Sequence, residues 1–229
     1  MFDIGIFGSS WGMGEWDSKP QNKLSEDQYQ IDQHSQPNYV VHKGIEKYFV
    51  DAGLNVLNAS KSALPNQSVL DLLNCFHKKC KLLIFIMTHP YYDFEIRPTL
   101  YSKNLSLKKN LDNLIAKQIS MLENYKTKTI IVNGLHTLDE QKKFIQHIHW
   151  PQLCSPDLNW PKYYIYTLKN ILEQNLLPLT KEDIIWSGND QKKQEEFWLS
   201  MNTDKQMFTS DHPNRKAHKI LANKILEII

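Results

Sequence analysis

Two short segments near opposite ends of the chain carry side chains suited to nucleophilic chemistry. The first is Gly8-Ser9-Ser10-Trp11-Gly12, and the second contains His212 followed by Pro213. A serine hydroxyl becomes an effective nucleophile when a histidine within hydrogen-bond reach accepts its proton. The residue types therefore indicate Ser10 as a candidate nucleophile and His212 as a candidate base, provided that the fold brings them together.

The segment around Ser10 is rich in glycine and follows the apolar run of residues 2–7. A serine at such a turn lies near the free backbone N–H groups of a helix start, and these groups can stabilise an oxyanion. Two other interpretations stay open. The segment also fits a strand-to-helix turn with capping serines and no catalytic role. A phosphate-binding loop is the other, although neither the P-loop spacing nor the dinucleotide-binding spacing is present.

The segment around His212 holds its histidine outside a helix. Pro213 favours an extended conformation for the residue before it, so we expect His212 in a fixed loop ahead of the helix predicted over 214–229. His218 lies inside that helix and is interpreted as a packed or surface histidine.

Alternating strand and helix patterns must position these two segments. Apolar runs separated by amphipathic stretches of about 12–20 residues are typical of β–α–β crossovers and of a parallel sheet covered on both faces. The class is therefore α/β. We predict strands over 2–7, 54–60, 81–89 and 128–134, and helices over 40–52, 66–79 with Asn66 as its cap, 106–125 with Ser106 as its cap, 162–174, 190–201 and 214–229.

In an open parallel sheet, ligands bind beyond the carboxyl ends of the strands. The residues that directly follow the strands are therefore the first place to look for a site. Besides the Ser10 segment they include the stretch from Ser60 to Asn66 and the pair Thr88-His89. Residues 17–38 are polar, with almost no large apolar side chain, and we predict a surface loop there that borders the cleft.

The two candidate segments resemble those of the SGNH (GDSL-type) hydrolase family. That family begins with a strand that runs into Gly-Asp-Ser and ends with Asp-x-x-His-Pro before a terminal helix. This chain has IFGSSWGMGEW at residues 6–16 and His212-Pro213-Asn214 before its last helix. The resemblance implies a flavodoxin-like three-layer α/β/α sandwich formed by one domain of residues 1–229, with Ser10 as nucleophile and His212 as base.

The resemblance also implies an oxyanion hole, which is altered here. Ser9 replaces the acidic residue before the nucleophile. The family's second block supplies a glycine N–H, for which the backbone of Ser62 or Ala63 would serve. The family's third-block asparagine is not found after the third strand, where Thr88 offers a hydroxyl instead. The side chains that we expect around the oxyanion and the substrate are those of Ser62, Ala63, Asn66, Thr88, His89, Trp11 and Glu15.

The acid that orients the histidine is displaced as well. The family's acid precedes the histidine by three positions, where this chain has Thr209. Asp211 is adjacent to His212, and neighbouring side chains of an extended segment point to opposite sides. Asp211, Asp204, a backbone carbonyl and a Ser–His dyad without an acid all stay open.

Composition excludes several other classes. The 27 basic and 25 acidic residues give a net charge of +2, so no nucleic-acid partner is expected. Three cysteines do not form a disulfide framework, and the longest apolar run, residues 82–87, is too short to cross a membrane. With no signal peptide, we expect a soluble, cytoplasmic protein. Association with a virion is the alternative location. The scattered histidines lack a carboxylate or cysteine to complete a metal site, so neither metal nor cofactor is expected.

The preferred hypothesis is therefore a serine esterase. In the family that the chain resembles, small O-acyl groups on carbohydrates are a common substrate class, so the first expectation is an O-acetyl group on a sugar. The main alternative is a carbohydrate-binding or structural module that keeps the fold without the activity, which the altered oxyanion residues favour. Nucleotide or phosphate binding at Gly8–Gly14 is a third, weaker interpretation.

Overall fold

The first strand of the chain lies inside a parallel sheet, as its apolar sequence FDIGIFG predicts. The computed structural model describes residues 1–17, 29–30, 39–88, 93–94, 100, 102–133, 145–154, 156, 208–209 and 212–229. The strands are β1 (Phe2–Gly8), β2 (Glu15–Asp17), β3 (Tyr29–Gln30), β4 (Tyr39–His42), β5 (Val56–Asn58), β6 (Cys80–Met87), β7 (Lys128–Asn133), β8 (Ile145–His149), β9 (Phe208–Thr209) and β10 (His212–Pro213). The helices are α1 (Ser10–Met13), α2 (Ile45–Asp51), α3 (Asn66–Phe76), α4 (Leu107–Glu123), α5 (Trp150–Cys154) and α6 (Arg215–Leu226).

The main sheet has the order β5-β1-β6-β7-β8, and all its strand pairs are parallel. The chain passes from β1 outward to β5 and then returns to the other side of β1 to form β6. This reversal makes the carboxyl end of β1 a topological switch point, where open α/β sheets bind their ligands. Ser10 follows β1 directly, so the fold places the candidate nucleophile at this point.

Helices cover both faces of the sheet, which gives the three-layer α/β/α architecture expected from the sequence. On one face, α3 and α4 contribute residues such as Leu73 and Leu111 to a core that includes Phe85. On the other face, α2 and α6 contribute Phe49 and Leu221. Strands buried on both faces need apolar side chains at every position, which explains the continuous apolar run of β6.

One of the two predicted helix caps is present, the other prediction was wrong, and a further cap was not predicted. The side chains of Ser106 and Asn214 accept hydrogen bonds from the backbone N–H groups of Lys109 and Ala217, at 3.3 and 3.0 Å, and so cap α4 and α6. Asn66 is not a cap. Pro65 holds that position, and Asn66 is the first residue of α3.

The helix predicted over 40–52 is shorter, because β4 occupies Tyr39–His42. The apolar spacing suits either structure, and Gly44 separates the two. Its φ of +59° lies in the left-handed region, which interrupts any continuous helix. The α2 helix then ends at Asp51, close to the predicted stop at Gly53.

Two further differences concern strands that the sequence patterns did not reveal. The polar excursion at 17–38 contains β3, which pairs with β4, and β4 also pairs with β2, so the three strands form a small antiparallel sheet. A fifth parallel strand, β8, was not predicted as part of the main sheet. The helices predicted over 162–174 and 190–201 lie outside the described residues. The cysteines are free thiols, as predicted, although Cys75 is exposed.

Candidate active site

The carboxyl end of β1 places Ser10 on a tight turn. Ser9 is extended and precedes α1, a single turn in which the N–H of Gly12 donates to the Ser9 carbonyl at 3.0 Å. Gly12 lies so close to Ser60 that a Cβ at position 12 would overlap the Ser60 hydroxyl. Glycine is therefore required at position 12 for close approach of the β1 and β5 segments, and the turn leaves Ser10 half-buried.

His212 reaches the same place from the other end of the chain. It lies in β10, which pairs with β9 and contacts both β2 and α1. Its Nε2 is 2.9 Å from the Oγ of Ser10, across a sequence separation of 202 residues. This distance lies within the range required for a general base and its nucleophile. In the tautomer that carries its proton on Nδ1, Nε2 accepts a hydrogen bond from the Ser10 hydroxyl.

An ion pair links the loops that carry these two residues. The Nε of Arg215, three residues after His212, donates to the carboxylate of Glu15 at 3.0 Å. Arg215 is half exposed, so the pair adds little stability on its own. From the sequence we expected Glu15 to contact substrate. Its described partner is Arg215.

The segment that follows β5 lies beside the Ser10 turn. The N–H groups of Ala59 and Lys61 donate to the carbonyls of Ile6 and Gly8, at 2.8 and 3.1 Å. Asn58 extends this contact, because its Nδ2 donates to the Gly12 carbonyl at 3.0 Å. The stretch expected to supply an oxyanion donor is therefore attached to the strand that carries the nucleophile.

Within that stretch, Ala63 has an unusual backbone conformation. Its φ of +55° is the only positive value at a non-glycine residue in the described part of the chain. Alanine pays about 1–2 kcal/mol for this region, which glycine enters freely. The chain has thus retained a glycine-like turn at the position that the resemblance assigns to an oxyanion N–H. Ser62, the other expected donor, is its half-buried neighbour.

The end of β6 is fixed by a buried amide. The Nδ2 of Asn66 donates to the Thr88 carbonyl at 2.9 Å, and its Oδ1 accepts from the Thr88 N–H at 2.8 Å. Asn66 was expected among the substrate-binding residues. It is fully buried, and the partner of its amide is the backbone of Thr88. Thr88 itself is 6% exposed, and His89 lies outside the described residues.

A second buried group, Asp93, supports the same region and was missed by the sequence reasoning. One carboxylate oxygen accepts from the backbone N–H of Gln67 at 2.6 Å, in the first turn of α3, and the other accepts from the side chain of Gln118 at 3.0 Å. An acid among aromatic residues after a buried strand is the only sequence signal that could have indicated it. Its hydrogen bonds hold the segment after β6 against α3 and α4.

Trp11 occupies a different place from the one expected. The sequence put it at the substrate, but it is only 5% exposed and belongs to the core on the α2 and α6 face. Its ring meets that of Trp150 edge-on, with the centroids 5.6 Å apart. Asp211 and Asp204, two of the groups considered for orienting His212, lie outside the described residues.

Two buried histidines near the sheet have lowered proton affinity. Burial lowers the pKa of His218 to about 3, and the nearby His42 and His212 act in the same direction. Burial also lowers the pKa of His149 to about 4. His218 was predicted as a packed or surface residue and is fully buried. Among the described residues there is no group of three side chains that could hold a metal ion, and no helix there is long and apolar enough to cross a membrane.

Comparisons with known proteins give matches only among solved structures. No family model and no curated protein matches the chain. Matching structures include an acetylxylan esterase mutant from Geobacillus stearothermophilus, with 14% identity over 99% of this chain and 93% of that chain and a TM-score of 0.44. They also include a lipase/acylhydrolase from Enterococcus faecalis, with 15% identity over 100% and 95% of the two chains and a TM-score of 0.40.

A GDSL-like lipase from Parabacteroides merdae matches with 13% identity over 99% of this chain and 94% of that chain, and a TM-score of 0.39. At such identities and TM-scores the chain is similar to these proteins without being assigned to their family. Its function is therefore inferred from the geometry of its own residues.

Proposed function

We propose that this protein is a serine hydrolase that cleaves ester bonds, with Ser10 as nucleophile and His212 as general base. The observation that carries the proposal is the 2.9 Å distance between Ser10 Oγ and His212 Nε2. Two polar side chains 202 residues apart meet at the switch point of a parallel sheet, where the fold class places its ligands.

The reaction has two halves. Ser10 Oγ attacks the ester carbonyl while His212 accepts the hydroxyl proton, which gives a tetrahedral oxyanion. Collapse of this intermediate breaks the bond to the alcohol, which leaves with the proton from His212, and the acyl group stays on Ser10. Water then attacks the acyl carbon as His212 takes its proton, and collapse returns that proton to Ser10 and releases the carboxylic acid.

Backbone N–H groups are the proposed oxyanion donors. The N–H of Ser10 lies at the start of α1, and the left-handed turn at Ala63 supplies the second donor from beside β1. Because both donors are main-chain groups, Ala63 can supply the same N–H as the glycine that the family has at the corresponding position. The family's third donor is an asparagine side chain, in whose place this chain has only the hydroxyl of the buried Thr88, and loss of one donor typically costs about 10²–10³ in rate. We therefore expect a slow esterase.

The proposed substrate is a small O-acyl group on a carbohydrate, in the first instance an O-acetyl group. Support for this choice comes from the resemblance of the Ser10 and His212 segments to the SGNH family. No cofactor enters the proposed chemistry, since both proton transfers use His212.

A specific observation favours one rival, a carbohydrate-binding module without turnover. The carboxamide expected near the oxyanion is that of Asn66, and it is fully buried on the Thr88 backbone. In this rival, too few oxyanion donors remain for useful deacylation, and the site keeps only the binding of the sugar.

Covalent labelling distinguishes the two functions. The purified protein is treated with a fluorophosphonate probe, and the adduct is located by mass spectrometry. Hydrolysis of p-nitrophenyl acetate and of an O-acetylated xylo-oligosaccharide is followed in parallel. A hydrolase gives an adduct on Ser10 that is absent in Ser10→Ala. The matched control is Ser9→Ala, which changes the adjacent, 6% exposed serine and should keep both labelling and turnover.

Absence of an adduct, together with no turnover of either ester, would remove the hydrolase proposal. Binding of the xylo-oligosaccharide under those conditions would favour the module. An adduct that persists in Ser10→Ala would assign the nucleophile to another residue.

A further inference from the structure

The contact between Ser10 and His212 is made by two very short elements. Ser10 begins α1, which has four residues, and His212 begins β10, which has two. Such short elements do not hold a side chain within a few tenths of an ångström unless the packing around them does so. The residues that touch both elements or their immediate continuations are therefore candidates for positioning the pair.

One buried side chain, that of Trp150, meets both continuations. It follows β8 directly, at the start of α5, and it is fully buried. Its ring packs edge-on against Trp11, the residue next to Ser10, at 5.6 Å between centroids. Its indole N–H donates to the carbonyl of Ala217 at 3.0 Å, in the first turn of the helix that His212 precedes.

His218 closes the other side of this arrangement. His218 directly follows Ala217, and its ring meets the ring of Trp150 edge-on with the centroids 4.9 Å apart. A Cβ at Gly44 would come within 2.6 Å of the His218 ring, so the ring fits only because residue 44 is glycine. Gly44 thus packs against the His218 end of the stack Trp11–Trp150–His218, and this close contact limits how far the His218 ring can move.

We propose that Trp150 is a positioning residue for the Ser10–His212 pair. It acts through Trp11 on the nucleophile turn and through Ala217 and His218 on the start of α6, and so sets the distance between the hydroxyl and the imidazole. The proposal rests on the proposed esterase function for its kinetic consequence. Its structural consequence, the placement of the His212 ring, does not depend on activity. A misplacement of about 1 Å is sufficient to cost roughly 10²-fold in rate.

The test compares Trp150→Phe with Phe85→Leu. The first substitution keeps a buried ring, but it removes the N–H donor to Ala217, and the smaller ring makes less contact with Trp11. The second removes part of an equally buried ring from the core on the face of the sheet opposite to Trp150. Melting temperature, the ring 15N signals of His212 by NMR, and kcat and KM for p-nitrophenyl acetate are measured for both variants and for the wild type.

We expect the His212 signals to move or broaden in Trp150→Phe, and kcat to fall about 10- to 100-fold with KM within about twofold. In Phe85→Leu the melting temperature should fall while the His212 signals and kcat are retained. A purely structural role for Trp150 predicts that both variants lose stability without any change at His212, and this result would overturn the proposal.

The outcome is decided even if the protein is not an esterase. Failure of the wild type to react with a fluorophosphonate ends the proposed function, while the His212 signals still report whether Trp150 positions the ring. If Trp150→Phe does not fold, Trp11→Phe is the second variant. It keeps a ring beside Ser10 and should produce a smaller change in the same signals, and unchanged signals there would count against the proposal.

Discussion

Two sides of the candidate site are built in different ways. The base side consists of His212, Arg215, Ala217, His218 and Trp150, and the oxyanion side consists of Asn58, Ser60, Ala63, Asn66 and Thr88. On the base side the main contacts are aromatic packing, the hydrogen bond from Trp150 to Ala217 and one half-exposed ion pair. On the oxyanion side they are buried and part-buried hydrogen bonds between side-chain amides and main chain.

This difference follows from what each side must hold. In the proposed mechanism the oxyanion side presents backbone N–H groups, so its task would be to fix main chain, and the amide of Asn66 binds main chain with two directional hydrogen bonds. The base side presents a ring on a loop, so its task is to fix the start of a helix against a turn. Large aromatic rings do this well because they bury much area and have few rotamers. We therefore expect the two sides to fail differently when perturbed.

The largest effect is expected from the base itself. His212→Gln removes the proton acceptor of Ser10 while keeping a polar side chain, and kcat/KM for p-nitrophenyl acetate should fall by about 10³-fold or more. The control is His77→Gln, because His77 stacks on Tyr125 at 4.5 Å, remote from β10. Activity that survives in His212→Gln would show that the 2.9 Å contact with Ser10 is not used.

The next effect should come from the oxyanion side. Asn66→Leu leaves the N–H and carbonyl of Thr88 buried without their partners, and each such group costs about 1–3 kcal/mol. We expect the free energy of unfolding to fall by about 2–4 kcal/mol in urea titrations. Asn113→Leu, at an exposed position of α4, is the matched control and should change it by less than about 0.5 kcal/mol. An equal loss in both variants would contradict the role given to Asn66.

How far the sequence predicts the two sides also differs. Ser10 and His212 were identified because each lies in a short local pattern, a glycine-rich turn and a His-Pro before a helix. The alternation of strands and helices then placed the first pattern at the switch point of the sheet. Nothing local marks Asn66 in the same way, since its partner is the main chain of a strand 22 residues later. Its position before an apolar run suggested a cap instead.

The contacts of Trp150 were not predicted, for a related reason. It follows β8, whose sequence Ile-Gln-His-Ile-His carries polar residues at three of five positions and does not resemble the buried strands. Without β8 in the sheet, the sequence does not show which side chains Trp150 meets in the core. The helix prediction was also wrong at Tyr39–His42. The apolar spacing there is compatible with a helix, but the residues form strand β4, and Gly44 separates this strand from α2.

Acid should destabilise the folded protein through His218, a residue of the base side. Because burial lowers the pKa of His218 from 6.5 to about 3, the unfolded chain binds a proton between these values that the folded chain does not. Stability is therefore constant above pH 6.5 and falls below it, by about 1.4 kcal/mol per pH unit for this residue until about pH 3. Urea titrations at pH 7.0 and 5.5 measure the difference.

The variant His218→Leu identifies the source of this slope. It should lose about 1.4 kcal/mol less than the wild type between the two pH values, because leucine does not titrate. Part of the slope should persist, since burial also lowers the pKa of His149 to about 4. The wild-type protein, measured at the same two pH values, gives the reference slope. If His218→Leu showed the same slope as the wild type, His218 would bind its proton equally well in the folded and unfolded states, which would contradict its lowered pKa.

The smallest effect concerns the left-handed turn on the oxyanion side. Ala63→Gly relieves about 1–2 kcal/mol of backbone strain at φ +55°, and it loses about 0.4–1 kcal/mol because the unfolded chain gains freedom. The net result should be a gain of about 0.5 kcal/mol, with kcat unchanged because the proposed donor at this position is the backbone N–H. Ala52→Gly, at a φ of −79°, has no strain to relieve and should lose stability instead. If Ala63→Gly lowered the free energy of unfolding as much as Ala52→Gly, the backbone at Ala63 would not be strained, and the comparison with a glycine turn would be wrong.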